Sequence, residues 1–392
     1  MLEIRIAKGW AIFIYIGAPL LILLFGWLLL MPFLPNQNKE NSPELIWLLA
    51  PISIGMIALA IVGLLDTIFG KVVIEDDRIY SKSTLSNRQL LLSEIQGFRI
   101  NNNYIIIQPT TKEKKRIKIS TYFGKTDELI EWLASQNPDL DLLNAEQEKE
   151  EILNDQSLGE TVQQRESKLI QAHKTAKILN WVGGIVGIWT WFWAYPYEYA
   201  IVLSIVIPVI ALIILKFSGG LIRFDEKNGS AYPTIAYAFL APSLGLFMRA
   251  ITDFNIFNYE KVWLPTILIA VVIMVVLLIG NKEFSFEKAT DWAAVIVTSF
   301  IAFAYGFGTI ITINCLYDNS EPKLFTPKIL EKRISSGKST TYYFKLTPWG
   351  VQKETEEVSV SKELYNQVNK NDVVNLYYLN GLLEIPWFTV EI

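Results

Sequence analysis

Apolar residues follow two rhythms along this chain. Seven runs are apolar for about the length that crosses a bilayer, roughly 20 residues, and between them lie segments with the alternation of strands. The first run, Trp10 to Met31, carries no charge and continues into Pro32-Phe-Leu-Pro35 without a small-residue cleavage site, so it reads as an uncleaved signal anchor. Leu45 to Leu65 follows after a short polar loop and completes a helical hairpin. Five more runs cover Ala176 to Ala194, Tyr199 to Leu215, Tyr232 to Met248, Val262 to Gly280 and Trp292 to Ile313. The run from Tyr232 to Met248 is short and holds Pro233 and Pro242; a full crossing is expected, with a re-entrant or interfacial segment as the alternative. Trp189, Trp191, Trp193, Tyr195, Tyr197 and Tyr199 form an aromatic belt between the third and fourth runs.

The segment between the second and third runs has the rhythm of a sheet. Lys71 to Glu75 and Arg78 to Lys82 read as a hairpin about Asp76-Asp77, followed by strands at Gln89 to Leu92, Gly97 to Ile100, Tyr104 to Gln108 and Arg116 to Ser120. Thr126 is placed to cap a helix whose first turn holds Asp127 and Glu128 and whose apolar face is Leu129, Ile130 and Leu133. With Leu91-Leu-Ser-Glu-Ile95 ahead of the later strands, the pattern resembles the bacterial pleckstrin-homology-like domain, whose members are often tethered beside a helix pair. Lys112, Lys114, Lys115, Arg116 and Lys118 gather at the turn before the last strand. They are candidate contacts for anionic lipid headgroups; a solvated hairpin tip is the simpler reading.

From Asp139 to Glu160 acidic residues dominate, and a solvated, partly helical connector is expected, becoming basic toward the third run. Gly183 and Gly187 in that run have the small-xxx-small spacing that lets helices approach closely in lipid, here within one chain rather than between copies. Arg249 and Asp253 lie four apart at the end of the fifth run and read as its exit into water rather than as a pair.

After Tyr317 strands return, at Pro327 to Ile334, Thr340 to Leu346, Thr355 to Val360 and Asp372 to Leu379, with a helical turn within Ser361 to Val368. Asn380-Gly381 is a hairpin signal before a strand at Leu382 to Ile385. A Tyr-rich strand, Asp372-Val-Val and the ending Gly381-Leu-Leu-Glu-Ile-Pro-Trp387 resemble the small β-domains of DUF3592-like membrane proteins. Gly337-Lys-Ser-Thr340 imitates the end of a P-loop, but Lys332 stands where the motif's first glycine belongs and the context is a β-turn.

The expected organisation is an α-helical transmembrane bundle with two small soluble domains. A hairpin covers 1–67, a PH-like domain 68–137, an acidic then basic linker 138–175, a helical bundle 176–316 and a β-rich domain 317–392. Only 19% of residues are charged and the net charge is −4, which argues against a nucleic-acid partner. One histidine, His173, and one cysteine, Cys315, leave little for hydrolytic or metal chemistry, so neither an enzyme nor a cofactor is expected. Arg5, Lys8, Lys216, Arg223, Lys227, Lys282 and Lys288 fall in the loops on the N-terminal side of the membrane, against Lys39, Arg249 and Lys261 on the other. The bias places the N-terminus inside and, after seven crossings, the C-terminus outside. The resemblances imply a bacterial inner membrane. A scaffold or regulator that binds lipid headgroups or a protein partner is expected ahead of a transporter or channel component, because no ionisable residue sits mid-span. A homo-oligomer is not indicated. The Asn228-Gly-Ser230 sequon falls on the inner side and is discounted.

Overall fold

The computed structural model describes residues 2–31, 44–225, 227, 229–280, 283, 284, 286, 289–336 and 340–392. Residues 32–35, Lys39, Asn228, Lys282, Lys288 and residues 337–339, named above, lie outside the described residues. The chain divides into two compact units, Met1–Glu150 with Lys227–Ala231, and Glu151–Glu226 with Tyr232–Ile392.

The first unit opens with a strand that the sequence did not announce, β1 (Leu2–Ile4), and the helix pair α1 (Lys8–Leu30) and α2 (Glu44–Phe69). Then come β2 (Lys71–Ile74), β3 (Arg78–Lys82), β4 (Asn87–Leu91), β5 (Ile95–Ile100), β6 (Tyr104–Pro109), β7 (Ile117–Ser120), α3 (Thr126–Gln136) and α4 (Leu140–Asn154), whose last residues belong to the second unit. Strands β1 to β4 form one antiparallel sheet in chain order and β5 to β7 another. The helical hairpin is thus inserted between two paired strands, with Leu2 opposite Ile74 and Ile4 opposite Val72. Ile4, Ile79, Leu90, Ile105, Ile107, Ile117, Leu129 and Leu133 bury their alternating or i,i+4 positions in one core that both sheets and α3 share. The helix begins one residue earlier than a Thr126 cap would have it: Lys125 is the N-cap, in the left-handed region at φ 57°, and makes no side-chain cap bond.

The acidic stretch is docked, not a free connector. Phe98 donates its amide to the Pro138 carbonyl at 3.1 Å, and a Cβ on Gly97 would come within 2.7 Å of the Leu140 side chain, so only glycine lets α4 approach β5. Asp141 pairs with Arg99 at 2.8 Å. Glu148 accepts from the Ser230 hydroxyl and the Ala231 amide at 2.7 and 2.8 Å, which ties residues 229–231 into this unit.

The second unit holds α5 (Val162–Phe192), α6 (Tyr197–Phe217), α7 (Ala236–Thr252), β8 (Asn255–Ile256), α8 (Glu260–Leu278) and α9 (Ala289–Leu316). Strands β9 (Lys323–Phe325), β10 (Ile329–Ser336), β11 (Thr340–Leu346) and β12 (Glu356–Val360), helix α10 (Lys362–Gln367), and β13 (Asn375–Leu379) and β14 (Trp387–Glu391) complete it. Thr161 and Gln164 form a reciprocal capping box at the start of α5, so the third apolar run is the second half of a longer helix. The fifth run forms its helix four residues later than expected, because Thr234 lies in a bridge to Arg223 before α7 begins.

Helix α7 is the packing centre. A Cβ on Gly183 would lie 2.5 Å from the Ala238 Cα, one on Gly187 2.5 Å from the Ala241 carbonyl carbon, and one on Gly308 2.8 Å from the Leu246 main chain. Asn180 of α5 accepts from the Ala238 amide at 3.0 Å, beside the Ile235 carbonyl that accepts from the same amide at 3.1 Å. At the other end Arg249 donates to the Thr190 and Trp191 carbonyls at 2.6 and 3.1 Å, closing the C-terminus of α5. It also pairs with Asp253 at 3.5 Å, so these two residues are partners and not merely an exit marker. Tyr197, at the start of α6, donates to Asp253 at 2.9 Å. The C-terminal end of α7 thus meets the start of α6.

Among the described residues, five helical segments are long and apolar enough to cross a membrane: Lys8–Leu30, Leu49–Phe69, Tyr197–Phe217, Glu260–Leu278 and Ala289–Leu316. The chain has the build of a multi-pass membrane protein, with small antiparallel sheets outside its helices.

The β-domain of the second unit takes a strand from the bundle. Its sheets are β10-β11-β12 and β8-β14-β13-β9, so the connection from α7 to α8 supplies an edge strand. The expected strand at 382–385 is instead a turn, and the last strand is Trp387–Glu391. Asn314 of α9 imposes this: its amide nitrogen donates to the Ile385 carbonyl and its oxygen accepts from the Leu383 amide, both at 2.9 Å.

Candidate functional site

The first candidate is the basic turn. It joins β6 to β7, and Lys112, Lys114, Lys115, Arg116 and Lys118 are all exposed. Two of the five are engaged. Lys114 pairs with Glu94, and this contact, followed by the Leu91 amide, holds the Glu94 carboxyl below the usual carboxylate range. Lys118 lies 5.8 Å over the Tyr104 ring. The Arg116 carbonyl accepts from Arg88 at 2.6 Å.

Strand register shows where this turn stands relative to the helix pair of its own unit. Lys71 follows α2 directly and lies opposite Lys82, which lies opposite Asn87. That edge of the first sheet is the anchored end. The far end of β4, Leu91, lies opposite Arg78, and Leu92 donates to the Asp77 carbonyl at 2.9 Å. Glu94 and its partner Lys114 therefore sit at the far end, about one strand of five residues or roughly 17 Å from the anchors. That exceeds the screening length of about 8 Å at physiological salt.

The anchored end carries a different set. The turn 83–86 is closed by the Ser83 amide on the Ser86 carbonyl at 3.0 Å, and the Thr84 amide donates to the Asp66 carboxylate in the last turns of α2. Leu85 at its tip is 77% exposed. At the start of α1 the Trp10 ring lies 4.4 Å from Tyr122.

In the second unit a cavity of about 430 Å³ opens where α6 and α8 end, lined among others by Lys216, Gly219, Arg223, Tyr232 and Glu283. Glu283, Arg223 and Lys216 hold its own loops. Glu283 accepts from the Phe224 and Asp225 amides at 2.9 and 2.6 Å. The Arg223 guanidinium lies 3.6 Å over the Tyr232 ring, and Lys216 donates to the Ile279 carbonyl.

At the opposite end of this bundle lies the junction with the β-domain. Asp318 accepts from the Gly381 amide at 2.9 Å and the Trp387 indole at 2.8 Å. Burial works against its ionisation, but these donors and Ser320 outweigh it and hold the carboxyl below its ordinary 3.8. Ile256, Phe307, Ile311, Cys315 and Ile385 form an apolar cluster across the junction. Gly183 and Gly187, as described, serve contacts with α7 of the same chain. Among the described residues no three His, Cys, Asp or Glu side chains gather as a metal-holding group.

Several of these features escape sequence reading: Glu94, twenty residues from Lys114; Leu85, one exposed leucine among many; and Asn314, an apparent helix-end amide. Comparison with known proteins returns no matching family model, no matching curated protein and no matching solved structure.

Proposed function

We propose that this chain is a non-enzymatic membrane scaffold or regulator that presents a β-domain on a rigid mount. One observation carries the reading: the C-terminal domain is built into the bundle, taking β8 from the α7–α8 connection and resting its 381–385 turn on Asn314 and Asp318. A domain fixed in this way suits a platform for a partner. Asp66, Arg249 and Asp291 sit near the ends of their helices, which supports scaffold over ion transport.

The first domain is read as PH-like, supported by its four-plus-three strand arrangement closed by α3. The Lys/Arg bias puts it inside. Counting the second half of α5 and all of α7 as crossings makes seven and puts the C-terminal domain outside. Lys114 of the basic turn is held by Glu94 at the end of the first sheet far from the anchors, which supports an acidic protein partner over headgroups. The test is site-specific photo-crosslinking from position 115 in intact cells. A discrete protein adduct is expected, lost when Lys112 and Arg116 are changed to Glu. Cross-linking to lipid alone would return the turn to the membrane surface, and no adduct at all would overturn the partner reading.

A further inference from the structure

The turn 83–86 combines features that a solvated turn does not need. Its residues are Ser83, Thr84, Leu85 and Ser86, and the one apolar side chain, Leu85, is 77% exposed. The backbone is not free to swing. Ser83 and Ser86 close the turn on each other, and the Asp66 carboxylate holds the Thr84 amide against α2.

Depth follows from helix geometry. Asp66 precedes the end of α2 at Phe69 by three residues, about 4.5 Å of rise. Helix α2 has 26 residues and is about 39 Å long, against a hydrocarbon core of about 30 Å. Its last turn therefore lies at the boundary between acyl chains and headgroups, and the turn bound to Asp66 lies at the same level. Around it Ile68 and Phe69 are exposed, and Lys82 and Arg88 flank the turn with positive charge. The other anchor point has the same character. Trp10 and Tyr122 are each about half exposed and meet at 4.4 Å beside the start of α1, in keeping with interfacial aromatic pairs.

We infer that the turn 83–86 is a membrane-seated loop that inserts Leu85 into the interfacial layer beside α2, with a lipid bilayer as its partner. Together with the Trp10–Tyr122 contact it fixes the attitude of the first domain on the surface, with Glu94 and Lys114 at the far end of the first sheet. The inference rests on α2 crossing the membrane and does not depend on what the basic turn binds.

The experiment uses the full chain in nanodiscs of neutral phospholipid, with single thiols introduced as Leu85→Cys, Asp76→Cys and Ile61→Cys and labelled with one environment-sensitive fluorophore. Cys315 is buried, and the unsubstituted chain gives the labelling background. Asp76 is exposed in the β2–β3 turn at the far end of the sheet, and Ile61 is exposed on the middle of α2. Lipids spin-labelled near the headgroup should quench the probe at position 85 several-fold more than at 76. Aqueous iodide should quench it several-fold less. Equal behaviour at 85 and 76 overturns the inference while a probe at 61 is quenched by deep acyl labels. Failure of the probe at 61 would instead remove its premise, that α2 crosses.

Discussion

The two β-domains meet their helices by opposite constructions. In the first unit the helices are the insertion: α1 and α2 leave and re-enter one sheet between β1 and β2. In the second the sheet is the borrower, completing itself with β8 from a bundle connection. The helices differ to match. Only 6% of the α1 span is buried, against 56% of α9, and a Cβ added at Gly17, Gly26, Gly55 or Gly63 in the hairpin would meet nothing within 4 Å. In the bundle Gly183, Gly187, Gly245, Gly306 and Gly308 are contact points. Large apolar residues suffice where lipid covers a helix pair, whereas close packing without a hydrophobic drive needs small residues and shared hydroxyls. The Thr190–Ser204 bond at 2.7 Å is one such hydroxyl pair.

The comparison can be broken at its strongest point first. Ile4 is fully buried, so Ile4→Ala should cost the first domain about 2–5 kcal/mol and leave the second unit's hydrogen-exchange pattern unchanged. Loss of protection in both units would show that they unfold as one.

Glycine substitutions then sharpen it by sign. Gly187→Ala forces a Cβ against Ala241 and should destabilise the bundle by about 1–3 kcal/mol. Gly55→Ala, in open space on α2, should stabilise its helix by roughly 0.5 kcal/mol. Thermal melts of the full chain in one detergent give both, and equal effects would erase the distinction between the two helix sets.

At the junction, Asn314→Ala removes both side-chain bonds to the 381–385 turn. About 1–3 kcal/mol of local stability should be lost, read as faster exchange of the Leu383 amide with the sheet amides of β11 still protected.

The smallest effect is expected from pH. A carboxylate whose folded pKa is depressed contributes stability that is present above its unfolded value and lost as pH falls through the folded one. For Asp318 that window lies below about 3.8. Acid should therefore loosen the junction in the natural chain but not change it further in Asp318→Asn.

What could be read from the sequence divides along physical lines. Long apolar runs declare membrane-length helices by themselves, and strands such as Arg78–Lys82 and Thr340–Leu346 form where their alternation places them. Strands β1 and β8 are three and two residues long and exist only through partners far away in the chain, so no local pattern marks them. Asn380-Gly381 did signal a turn, but Asn314 determines where the chain resumes as a strand. For the basic turn, its composition was legible and its address was not. Lys114 owes its position to Glu94, and the distance from the anchors follows from register alone.

The insertion of the hairpin also has a consequence for assembly. Residues 2–4 are synthesised before both membrane helices, and their partner strand after them. The first sheet closes only when the chain has gone into the bilayer and come back on the same side. A hairpin left half-inserted would keep Leu2–Ile4 and Lys71–Ile74 apart, leaving an unpaired edge and an open core for quality-control proteases. Closure of β1 on β2 thus serves as a built-in record that both crossings were completed.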